Sequence, residues 1–208
     1  MNSTIRLDPN LLLLLVTCLY ILVFGGLSFM RHEGLPLQLA IEAIVLAALL
    51  LGLRRLTNSP ISPFLLLILL YLITMRSRLL VDVANLLAER GKYKVAFTLY
   101  RLGLACWPDA ASRLIVLTNR GTAELFSGQV ESAIQTLEGI LAVGNRPRLN
   151  LKYEAACRYN LGQAYTRKGD RAKAVQQLNE VIDRVPGSPY AQAARTTLER
   201  WGETAVED

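Results

Sequence analysis

Side chains able to make or break bonds are sparse in this sequence and poorly spaced for the task. Cys18, Cys106 and Cys157 are its only cysteines and His32 its only histidine, with no Cys-x-x-Cys pair. A zinc, haem or iron–sulfur site needs such ligands clustered, so neither a metal nor a cofactor is expected. The odd cysteine count shows no paired spacing, so no disulfide framework is indicated and a reducing compartment fits better. No glycine-rich phosphate loop or nucleophile elbow is present and the acids are scattered, so no catalytic residue is predicted. Glu42 is unusual in its placement, because it interrupts an apolar run where an ionisable group counts as a functional-site hypothesis. Two roles stand for it: work within the membrane, or a structural one in which it reaches the interface or pairs with a neighbour about one turn past the run's start.

The elements that hold these residues divide into two chemically different halves. Hydrophobic residues make up 52% of the chain and the mean hydropathy is +0.29, high for a soluble protein. Up to Met75 only Arg6, Asp8, Arg31, Glu33, Glu42, Arg54 and Arg55 carry charge, and the other 33 charged residues follow. The net charge of +6 raises the question of nucleic acid. A nucleic-acid face would need clustered cations with exposed aromatics, whereas here Lys and Arg are dispersed among acids. Topology signals and anionic lipid headgroups account for the surplus, so no nucleic-acid partner is expected.

Three apolar runs predict transmembrane helices over about 11–30, 37–53 and 61–75. The first has no charge over 20 residues, enough to cross about 30 Å of hydrocarbon. A cleaved signal peptide is the alternative, disfavoured by Asp8 beside Arg6 and the lack of a clean small-x-small site. The second run follows the turn RHEGLP and ends at Arg54-Arg55. The third is short for a span; re-entrant packing is one reading, and a full span with Arg76 and Arg78 reaching up to the headgroups is the preferred one. With three spans, Arg31, Arg76, Arg78, Arg90, Lys92 and Lys94 share one side against Arg6, Arg54 and Arg55. The positive-inside rule then places the C-terminal half in the cytoplasm, while a re-entrant third run would reverse the parity.

The second half is periodic. Gly91, Gly128 and Gly169 align as one column at spacings of 37 and 41 residues. Gly121 then falls over Gly162, Ala133 over Ala174 and Leu137 over Leu178, while Ala84, Ala96, Tyr100, Gly103 and Pro108 complete the first block. This spacing predicts a pair of antiparallel helices per block. Small residues such as Ala84, Ala96, Gly162 and Ala174 let the pair approach, and Leu161, Tyr165 and Leu178 fill the seam. Glycine at each inter-helix turn can adopt the left-handed conformation, and Pro108 and Pro186 end the second helix of their blocks. After Pro186, Ser188 reads as an N-cap and Pro189 as the first residue of a capping helix over 188–201. Tyr190, Ala194, Leu198 and Trp201 would cover the last hairpin, with Arg195 and Glu199 paired on the solvent side. No glycine or proline separates Pro63 from Arg90, so the third run and the first repeat helix are predicted to form one rod of roughly 40 Å.

These blocks resemble tetratricopeptide repeats, of membrane-anchored bacterial type. Leu161, Gly162, Tyr165, Gly169, Ala174, Leu178 and Pro186 carry the likeness in the third block; Arg158 stands where the family prefers Trp, and Val181 where it prefers Ala. The second block has Arg120 and Glu124 at the Leu and Tyr columns. The first is recognised from Ala84, Gly91, Ala96, Tyr100 and Pro108. The resemblance implies an all-α fold: transmembrane helices over 1–75, then a solenoid of three hairpins (about 77–108, 114–144 and 155–186) with its capping helix in 76–208. It also implies a concave groove for a protein partner, lined by Asn85, Asn119, Thr122, Tyr159, Asn160, Gln163 and Arg167. Asn85 and Asn119 occupy clamp-asparagine columns of chaperone-tail binders. Val81, Ala156 and Asn160 replace the basic clamp residues, which argues against an acidic tail as ligand. The expected role is an adaptor or assembly factor at a membrane complex, in the bacterial inner membrane. The alternatives are a stable accessory subunit of a respiratory, photosynthetic or secretory complex, touching partners through its spans as well, and an enzyme or transporter.

Overall fold

The protein is described here by a computed structural model, which covers residues 8–30, 37–59, 61–142 and 151–204. Arg6, the turn with Arg31 and His32, the predicted end of the second repeat beyond Ala142 and the last four residues fall outside these ranges. The described residues form helices and no strand: α1 (Pro9–Met30), α2 (Leu37–Thr57), α3 (Pro63–Glu89), α4 (Tyr93–Ala105), α5 (Ala110–Phe126), α6 (Val130–Ala142), α7 (Leu151–Lys168), α8 (Arg171–Arg184) and α9 (Pro189–Thr204). They group into two compact units, Met1–Arg76 and Ser77–Asp208.

By length and composition α1, α2 and α3, the last taken over all of Pro63–Glu89, are each able to cross a bilayer. Leu13, Tyr20, Ala43, Leu50, Leu66 and Leu70 form their shared core, while Leu19, Leu22, Ile41, Leu49 and Phe64 remain exposed. Large apolar residues around the outside of a bundle are what lipid requires. Two hydroxyls bond within the bundle, Tyr20 donating to Thr74 Oγ1 at 3.0 Å and Thr17 to the Leu13 carbonyl, while one guanidinium nitrogen of Arg54 is buried without a hydrogen bond among the described residues. Glu42 takes the structural role: Arg76 grips it through both guanidinium nitrogens at 2.9 and 2.8 Å, and Gln38 donates to the same carboxylate.

The third apolar run becomes more than the predicted 61–75, because Ser62 starts α3 by accepting from the Leu65 and Leu66 amides and Pro63 fits the first helical position. Without a helix breaker α3 continues to Glu89, its last turns serving as the first repeat helix.

In the second unit three hairpins follow one another: the end of α3 with α4, α5 with α6, and α7 with α8. Gly91, Gly128 and Gly169 turn each hairpin at φ +74°, +85° and +86°. The amide of the residue after each glycine returns to a helix carbonyl (Lys92 to Leu87, Gln129 to Glu124, Asp170 to Tyr165), so all three turns share one hydrogen-bonded cap. Within hairpins contact is close: a Cβ on Gly121 would lie 2.8 Å from Leu137, and one on Gly162 3.0 Å from Leu178. Ala84, Ala96, Ala133 and Ala174 are wholly buried.

The cores cross hairpin boundaries. Val81, Ala84, Ala96 and Tyr100 pack with Val116 and Ala123, and Leu114, Ala133 and Leu137 with Cys157, Leu161 and Tyr165. Such sharing is what makes a stack of hairpins stable where one is not. The second repeat helix begins at Ala110 rather than near 114, because Asp109 accepts from the Ser112 amide and caps it. Ser188 caps α9 through the Ala191 amide, which buries Ala191 and Ala194 and runs beyond 201 to Thr204. Arg195 donates to the Pro186 carbonyl at 3.3 Å in place of the predicted pairing with Glu199.

Candidate partner-binding face

The first helices of the hairpins stand side by side and are joined by polar side chains of the predicted groove. Asn85 on α3 donates to Asn119 Oδ1 on α5 at 3.0 Å, and Tyr100 on α4 donates to Asn85 Oδ1 at 2.6 Å. Asn119 in turn donates to the Ile115 carbonyl. One step further, Asn160 on α7 donates to Thr122 on α5 at 2.8 Å, while Thr122 gives its proton to the Thr118 carbonyl. Arg167 reaches back from α7 to the Leu125 carbonyl at 2.6 Å, its guanidinium 6.0 Å from the Phe126 ring centre. Tyr159 packs against Tyr190 of α9 with ring centres 5.8 Å apart, and Gln163 is half-buried.

Asn85 and Asn119 thus join α3 to α5, and Thr122, Asn160 and Arg167 join α5 to α7, whereas Tyr159 packs toward α9. The clamp-column asparagines Asn85 and Asn119 are bonded to each other. Val81 and Ala156, in the basic clamp columns, are buried, so those columns hold packing groups.

Several polar contacts escaped sequence reading. Glu124 is 2% exposed and accepts from Arg120 at 2.8 Å and from the Thr136 hydroxyl at 2.8 Å. The departures of the second block at its Leu and Tyr columns are thus one ion pair between the buried Glu124 carboxylate and a partly exposed Arg120, and their four-residue spacing was the available signal. Arg158, in the Trp column, bonds to Glu154 and Gln177 and lies 3.7 Å from Glu180. The Tyr165 hydroxyl donates to Glu138 across to α6. Burial, and secondarily that carboxylate, push the Tyr165 phenol up to about 12. Burial likewise raises the Tyr100 phenol and the Cys157 thiol to about 12.

The arrangement of hairpins, left-handed glycine turns and a capped end defines a helical-repeat module. Residues 156–188, which hold most of α7 and all of α8, match the family model described as tetratricopeptide repeat. That similarity covers the third hairpin, and repeats of the family it matches are in general protein-interaction modules. No curated protein and no solved structure matches the chain.

Proposed function

We propose that this chain is a membrane-anchored scaffold that recruits a protein partner to a membrane complex, as an adaptor or assembly factor and without catalysing a reaction. The observation that carries the reading is the set of amide, hydroxyl and aromatic side chains contributed by three successive first helices, Asn85, Asn119, Thr122, Tyr159, Asn160, Gln163 and Arg167. The length and apolar composition of α1, α2 and α3 support anchoring in a bilayer. Arg76, Arg78, Arg90, Lys92 and Lys94 on the C-terminal side of the third span, against Arg54 and Arg55 on the other, support a cytoplasmic repeat domain in a bacterial inner membrane. A photo-cross-linker at Gln163 or Tyr159 in native membranes is expected to capture one protein, identified by mass spectrometry. Capture of nothing above background would sink the assignment of this face.

A stable accessory subunit is the second reading, favoured by Leu79, Val83 and Leu86, which remain exposed on one side of α3 in the repeat unit. Stoichiometric co-purification in mild detergent would favour it over a transient adaptor.

A further inference from the structure

The first unit treats two of its arginines differently. Arg76 is neutralised by Glu42, whose carboxylate meets two of its nitrogens. Arg54 extends the inward stripe of α2 formed by the buried Ala43, Ala47 and Leu50, whereas its neighbour Arg55 is exposed. Arg54 is partly buried, and its Nη1 is shielded from solvent with no hydrogen-bond partner among the described residues. A buried guanidinium nitrogen left without an acceptor is a costly state, most of all at the edge of hydrocarbon.

Contacts along the bundle fix what lies beside Arg54. The Glu42–Arg76 pair sets α2 against α3, and Arg54 lies as far along α2 from Glu42 as Phe64 lies along α3 from Arg76. The Tyr20–Thr74 hydrogen bond sets α1 against α3, and Asn10 lies as far before Tyr20 as Phe64 lies before Thr74. Arg54, Asn10 and Phe64 therefore share one level, at the end of the bundle where α1 and α3 begin and α2 stops. Asn10 is partly buried on α1, one turn before the buried Leu13. Phe64 and Leu53 are 76% and 50% exposed, so the outer rim at this level is apolar. Asp8, an acid at the same end, is exposed, and its carboxylate accepts from the Asn10 amide at 2.8 Å.

We propose that Arg54 binds the phosphate of a membrane phospholipid, with the Asn10 carboxamide beside it and the acyl chains against the exposed Phe64 and Leu53. A phosphate offers the guanidinium paired acceptor oxygens in matching geometry, and the chains of the same molecule cover the apolar rim. One amphipathic ligand thus answers both halves of the site. Resting on the reading of α1, α2 and α3 as membrane spans, this puts Arg54 at the level of the headgroups, where lipid phosphates are the abundant anions and basic pockets between spans take them.

The probe is phosphatidylglycerol added to the full-length, delipidated protein in nonionic detergent, with bound lipid counted by native mass spectrometry. Circular dichroism and vesicle flotation establish folding and insertion first. One lipid is expected to stay bound, and Arg54→Gln to weaken it roughly tenfold or more, as loss of a charge-assisted hydrogen bond implies. Arg55→Gln removes the same charge from the exposed neighbour and is expected to change binding by no more than about twofold, as for a screened surface charge. Loss in Arg55→Gln that equals or exceeds that in Arg54→Gln, or no loss in either, overturns the site. Inorganic phosphate that displaces the lipid at equal concentration overturns the lipid in favour of a free anion. If Arg54→Gln does not fold, Arg54→Lys against Arg55→Lys carries the comparison, because lysine keeps the charge and loses the planar fork. Weakening confined to Arg54→Lys is then expected, and equal effects overturn the site. Protein that floats but holds no Arg54-dependent lipid defeats the site alone, whereas protein that fails to float defeats the spans and the site together.

Discussion

Glu124 shows how much a single buried position can carry. It accepts charge-assisted and neutral hydrogen bonds from two partners in a place the repeat family fills with an apolar ring. Glu124→Ala should cost about 2 kcal/mol of stability, because Arg120 and Thr136 lose their acceptor. Arg120→Leu combined with Glu124→Tyr should restore much of the wild-type stability, since a well-packed ring in place of the buried carboxylate leaves no acceptor or charge to be satisfied. Urea denaturation followed by helical circular dichroism measures both; a double variant no better than the single would refute the pairing. Titration acts at the same scale. Cys157, Tyr100 and Tyr165 are neutral when protonated, and folding raises them from 9.0, 10.0 and 10.0 to about 12. The native state holds these protons more tightly than the unfolded chain, so their stabilising effect is full below pH 9 and is lost as pH rises toward 12. Each group then contributes a slope approaching about 1.4 kcal/mol per pH unit. Denaturation midpoints that stay flat from pH 9 to 12 would contradict this.

Among elements, the pairing of α2 with α3 depends on Glu42 and Arg76, which are 34 residues apart and joined by two short hydrogen bonds. In a region of low polarity an unpartnered ion is the costly state. Glu42→Ala should lower the thermal stability of the detergent-solubilised spans by about 1.5–3 kcal/mol. Exchanging the charges, Glu42→Arg with Arg76→Glu, should recover a good part of it, whereas a purely steric role for Glu42 predicts no recovery. α3 also shows why the third run looked short in sequence: its uncharged apolar run ends at Met75, yet the helix continues to Glu89. Helix length is set by the absence of a breaker, and apolar length by where charges begin.

For the molecule as a whole, stability is distributed over cores shared by neighbours, so the terminal hairpin needs a cover. α9 provides it by burying Ala191 and Ala194 and packing on Ala155 and Val181. A chain ending at Pro186 should keep its spans and first hairpins, while amide exchange in α7 and α8 rises well above that in α5. Unchanged protection in α7 would show that α9 is dispensable. The set of first-helix side chains has the same collective character, because no single hairpin presents it.

Composition and local pattern were enough to separate apolar spans from repeats, to find the glycine turns at 91, 128 and 169, and to place Ser188 as a cap. Each of these depends on a few neighbouring residues and on the chain's own geometry. Tertiary structure alone paired Glu42 with Arg76, Asn85 with Asn119, and Thr122 with Asn160, and turned Arg120 and Glu124 from apparent flaws of the second repeat into an ion pair with a buried carboxylate. Those contacts depend on how far one helix is rotated and shifted against the next, and that register is settled by packing across residues distant in sequence.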